Sequence, residues 1–154
     1  YCARAAGMLE PVALAARDHW APKGPEDAVP VEPVSVAVAL AAGTTEKAAA
    51  VSYERHFHPG KMLSKEWEER CLDQLQAGLT QLEKNCGTPW YSDLHMSQAD
   101  VTIGCLIGYV KLRVPEVFPA TKFPKLHALA LHCEMREEFV KSRISADEVM
   151  PARK

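Results

Sequence analysis

"MSQADVTIGCLIGYVKLR", residues 96–113, is the most organised stretch of the chain, and its reading decides the fold. Ser97 stands where a helix N-cap would, and Asp100, three residues on, can reach back to the Ser97 amide. This is the pattern of a capping box, with Asp in the place more often held by Glu. Met96 and Val101 take the flanking positions of a hydrophobic staple. Between 101 and 112 only Thr102 and Lys111 are strongly polar. A soluble helix that is apolar all round has to be enclosed by other helices, so this segment is expected at the axis of a bundle. Gly104 and Gly108, four apart, would leave a bare strip where a neighbouring backbone can approach. The run is shorter than the roughly 20 residues that cross a bilayer, which removes a membrane span as its explanation.

Working outward, the segments on either side also read as helices. "TTEKAAAVSYERHF" is rich in helix formers and stops at His58-Pro59-Gly60. "SKEWEERCLDQLQAGLTQLEKN" offers Ser64 as N-cap and Glu66 and Glu68 in the electropositive first turn. Its Trp67, Cys71, Leu75, Leu79 and Leu82 form one apolar stripe, the pattern of an amphipathic surface helix. "FPKLHALALHCEMREEFVKSR" has Pro124 at a helix start and an apolar side of Leu126, Leu129, Ala130, Cys133 and Val140. The fold class expected is therefore all-α, a helical bundle with a buried central helix. Earlier in the chain Pro22, Pro25, Pro30 and Pro33 crowd together and read as linker or extended chain. Val34, Val36, Val38 and Leu40 alternate like a strand, yet the alanines between them suit a helix, and periodicity leaves that segment open. The tail from Ser145 reads as loosely ordered.

Composition sets further bounds. The chain has 154 residues, with 18 Lys and Arg against 20 Asp and Glu, a balance that gives neither nucleic acid nor an anionic membrane as partner. The N-terminus shows no basic region followed by an apolar run, so no secretory leader is expected. Five cysteines without a Cys-x-x-Cys pair do not make a disulfide framework, and a reducing cytoplasm is the expected compartment. Cys71, Cys105 and Cys133 fall in apolar helix patterns, where a thiol serves as a small buried hydrophobe.

In order and wording, the helices from about Leu40 to Arg143 resemble the C-terminal domain of bacterial-type cytosolic glutathione S-transferases. "VSYERHFHPGKMLSKEWEERCLDQLQAGLTQLEKN" is similar to the family's paired fourth and fifth helices. "PWYSDLHMSQADVTIGCLIGYVKLRVPE" is similar to its loop and sixth helix, and "FPKLHALALHCEMREEF" to its closing helices, although the family often has proline where Arg136 or Glu137 stands. The resemblance implies a helical domain over residues 36–145, preceded by an extension or linker at 1–35 and followed by a tail at 146–154. Residues 1–39 are too few for the family's thioredoxin-like domain, which binds glutathione and activates its thiol.

What the resemblance implies for function follows from that. The helical domain forms one wall of the pocket for a hydrophobic electrophile, with glutathione as co-substrate and a homodimer as the assembly. By position, Tyr53, Arg55, His56 and Phe57 on the first helix and Tyr109 and Arg113 on the central helix are the substrate-binding candidates. Alternatively, Tyr53 and Phe57 pack on each other and Tyr109 is a core tyrosine. No catalytic residue is assigned, and a chain without the thioredoxin-like domain is expected to be inactive alone. Ser97 and Asp100 are read as a structural cap. His56 and His58 diverge on a helix without a third ligand, as do His127 and His132, so no metal is expected. The rival reading is a non-catalytic helical module for a protein partner or hydrophobic ligand.

Overall fold

Small residues set the packing of the first helix, α1, Val31–Phe57: Ala37, Ala41, Thr44, Ala48 and Val51 recur at spacings of four and three and are all buried. The computed structural model describes residues 31–58, 63–92 and 95–143. α1 starts inside the stretch that its prolines mark as linker. Pro33 falls in the first turn, where the backbone amides lack intrahelical partners and proline removes nothing. The strand-like alternation at 34–40 is likewise helical, because burial follows Ala37 and Ala41 rather than the valines, and Val36 is 61% exposed.

α1 packs along both α2, Lys65–Asn85, and α3, Gln98–Arg113. Thr44 meets Gly78 and Arg55 meets Glu68, so α1 and α2 run antiparallel. At their crossing the helices come very close, and a Cβ added at Gly78 would lie 2.1 Å from Thr44 Oγ1. Cys71, Leu75, Leu79 and Leu82 are buried as the stripe requires. Trp67 is not: it is 47% exposed, since it lies opposite the last turn of α1, beyond the final buried residue there, Ser52. By length and composition Pro33–Phe57 could cross a membrane, with a mean hydropathy of 1.3. Here its small-residue stripe lies against α2 and α3.

The start of α3 is built as the sequence predicts. Asp100 is fully buried, and its carboxylate accepts the amides of Ser97 and Tyr91, both at 2.7 Å, and the Ser97 hydroxyl at 2.9 Å. Met96 and Val101 are both buried. Ala99, Val101, Ile103, Leu106, Ile107 and Val110 fill the centre of the core. Enclosure lapses along one strip. Gly104 is covered by the Phe139 ring and Cys133, but nothing approaches Gly108 within 4 Å, and Leu112 is 42% exposed.

A 3-10 turn, Pro115–Val117, leads into a stack in which Phe118 lies 5.3 Å from Phe123 and 4.3 Å from His127. The closing segment divides into α4, Pro124–Glu134, and α5, Glu137–Lys141. Leu126, Leu129, Ala130 and Cys133 are buried as expected, whereas Val140, on the separate short helix, is 51% exposed. No side chain caps α4 from its own N-cap, Phe123. Glu83 of α2 does so from outside, its two oxygens accepting the Lys125 and Leu126 amides at 3.0 and 2.9 Å. In return Lys125 Nζ donates to the Cys86 carbonyl at the end of α2, at 2.8 Å. Among the described residues there is no strand, and the fold is all-α.

Candidate functional site

Four of the six predicted binding residues lie together because they occupy the last turns of α1. Tyr53 and Phe57, one turn apart, stack at 5.5 Å between centroids with 16° between planes. His56 meets Phe57 edge-on at 4.8 Å. Tyr53 and His56 are half-buried, while Phe57 is 50% exposed. The Phe57 ring is thus half in water at the helix end and in contact with two other rings.

Arg55 is engaged within the fold. Its Nε donates to Glu68 of α2 at 2.5 Å and its Nη1 to Glu116 of the 3-10 turn. Burial works against the guanidinium charge, but the Glu68 and Glu116 carboxylates outweigh it and move the Arg55 pKa up. Glu116 is affected by burial in the opposite sense to Arg55 pairing, and the pairing wins, lowering its pKa. Arg55 thus ties α1, α2 and the turn after α3 into one corner through its Nε and Nη1.

Beside it, Glu54 accepts the Ser64 amide at 2.8 Å and faces His58 Nδ1 at 3.1 Å. The Ser64 amide first, and His58 second, hold the Glu54 carboxyl below its ordinary value. Ser64 occupies the N-cap position of α2 as predicted, but its side chain makes no capping hydrogen bond. The sequence pattern singled out neither Glu54 nor Glu116, weighed His58 only as a metal ligand beside His56, and gave Glu68 only a place in the first turn of α2. Only the i, i+4 spacing of Glu54 and His58 could have shown one of these contacts.

Tyr109 and Arg113 sit one turn apart on α3 and are both half-buried. Arg113 precedes by three residues the Glu116 that joins Arg55, so the end of α3 reaches the same corner as the end of α1. The thiols are ordinary core groups: burial pushes Cys105 up to about 11 and Cys133 up to about 12. His127 stacks on Phe118, and His132 points Nδ1 at the Pro89 carbonyl, 3.1 Å away.

Residues 65–129 match the glutathione S-transferase C-terminal domain family. Among solved structures, a glutathione S-transferase from Methylobacillus flagellatus with glutathione bound is 25% identical, with a TM-score of 0.68 over 80% of this chain and 60% of that one. One from Methylobacterium radiotolerans, in complex with glutathione sulfonate, is 21% identical, with a TM-score of 0.74 over 94% of this chain and 68% of that one. The chain therefore spans only part of these proteins. A separate likeness is local: 41 residues are 71% identical to the glycine–tRNA ligase beta subunit of Paracoccus denitrificans, covering 27% of this chain and 6% of that subunit. The Cereibacter sphaeroides subunit is 66% identical over the same length.

Proposed function

We propose that this helical body, whose residues 65–129 match the glutathione S-transferase C-terminal domain family, forms the electrophile-binding wall of a glutathione-conjugating protein. The observation that carries this reading is the half-exposed Phe57, stacked on Tyr53 and edged by His56 at the end of α1. An apolar electrophile would bury its flat side against Phe57. The clasp of Arg55 with Glu68 and Glu116 then serves to fix that corner rather than to bind the substrate. The open strip of α3 at Gly108 and Leu112 offers a seat for a thioredoxin-like domain, which would supply glutathione.

The chemistry is displacement at an electrophilic carbon. A glutathione thiolate forms the new carbon–sulfur bond, the leaving group departs with its electron pair, and the thiol proton goes to solvent. The thiolate is the nucleophile, so its pKa has to be brought toward neutrality. That task falls to the thioredoxin-like domain, and this chain supplies binding and dimer contacts.

The test has two parts. A neutral naphthylamine dye titrated into the chain should brighten on binding, and Phe57→Ala should weaken it several-fold. Loss of no affinity in that variant would remove the aromatic wall. Conjugation of a chromogenic aryl halide by the chain joined to a thioredoxin-like domain should exceed that of the domain alone. If the dye binds at Phe57 but conjugation does not rise, the rival reading as a non-catalytic binding module takes its place.

A further inference from the structure

We infer that residues 144–150 of this chain, ISADEVM, fold back as a strap across a groove on the outer side of α4. The groove has a volume of about 470 Å³ and is lined by Ala128, Leu131, His132, Glu134, Met135 and Arg143. Ala128, Leu131 and Met135, at spacings of three and four, follow one another along the side of α4 opposite to buried Leu126, Leu129, Ala130 and Cys133. Leu131 is 58% and Met135 73% exposed, and Val140 of α5 is exposed beside them. The polar groups of the lining are engaged within the fold. His132 Nδ1 lies 3.1 Å from the Pro89 carbonyl, and Glu134 accepts Lys111 Nζ at 3.1 Å. What this face lacks is an apolar cover.

The course of the chain selects that cover. α5 follows α4 after one corner at Met135 and Arg136, and Arg143, where the described structure stops, is itself part of the groove lining. Residue 144 therefore starts at the rim. From Ala128 to Met135 the groove runs about 10 Å along the helix axis. Seven residues in extended form reach about 23 Å, so 144–150 can cross it. Ile144 at one end of the segment and Val149 and Met150 at the other supply apolar side chains, while Ser145, Asp147 and Glu148 between them suit the water side. A second folded copy fits less well. Six residues line the groove, whereas each face of a stable dimer uses about 20–30. A free apolar molecule would have to be gathered from solution, while a segment tethered at the rim is present at an effective concentration on the order of 1 mM.

The experiment uses the full chain with its methionine and leucine methyl groups labelled for nuclear magnetic resonance. The Met150 methyl should show nuclear Overhauser contacts with the Met135 and Leu131 methyls, and dilution should leave them unchanged. Val149→Ser with Met150→Ser should erase those contacts, move the Met135 resonance and make tryptic cleavage after Arg143 several-fold faster. Leu131→Ser should speed the same cleavage, and because Leu131 is exposed the substitution leaves the core as it is. Absence of the contacts in the unaltered chain, or cleavage after Arg143 that none of these substitutions changes, overturns the inference. So do contacts that arise only between differently labelled copies, since they assign the face to a second copy.

Discussion

Three helices in this domain begin in two ways. α3 is started by its own residues: Asp100, within the first turn, takes the Ser97 amide and the Tyr91 amide in a fully buried position. α2 and α4 are started from elsewhere. Glu54 of α1 accepts the Ser64 amide, and Glu83 of α2 accepts two amides of α4. A local cap can form as soon as its turn forms. A borrowed one exists only after two helices have docked, so it couples the start of one element to the placement of another. The difference teaches that α3 carries its own boundary, while α2 and α4 depend on the assembled bundle for theirs.

Substitution can break that comparison. Asp100→Ala should have the largest effect, about 3 kcal/mol in urea unfolding, because it removes a cap and strands two buried or half-buried amides. Glu83→Ala should cost about 1–2 kcal/mol, since the freed α4 amides lie nearer to water. If Glu83→Ala proved the costlier of the two, the borrowed cap would be the dominant one. Ser97→Ala should cost about 0.5–1 kcal/mol, because Asp100 keeps its bonds to the two backbone amides. The smallest effects, in pH, should have opposite signs. Burial raises the Asp100 pKa above its ordinary 3.8, and its hydrogen bonds from Tyr91 and Ser97 offset this only in part. Wild type should therefore lose stability relative to Asp100→Asn as pH rises from below 3.8. The lowered Glu54 carboxyl does the reverse: its contribution is present above its ordinary 4.5 and fades as pH falls below it. Glu54→Gln should flatten that acid limb in a melting-temperature series.

The same contrast explains what the sequence made legible. The α3 cap and the Tyr53–Phe57 pair span three and four residues, within the reach of local spacing. Buried Cys71, Leu75, Leu79 and Leu82 followed from a helical period. The Arg55–Glu116 contact joins residues 61 apart, and the Glu83 caps join residues 42 and 43 apart. Nothing in a linear pattern marks such pairs, so the sequence shows Arg55 and Glu68 on two helices without showing that they meet. The start of α1 was obscured for another reason: a proline in a first turn looks, residue by residue, like a proline in a linker. The division between α4 and α5 has no proline or glycine to announce it.

The crossing of α1 and α2 has a consequence for inheritance. With Thr44 Oγ1 occupying the place where a side chain at 78 would begin, position 78 cannot enlarge unless Thr44 gives way. Gly78→Ala should unfold the pair in isolation and be rescued by Thr44→Gly. Across descendants of this chain, positions 44 and 78 should accordingly mutate in step, as one heritable unit split between two helices.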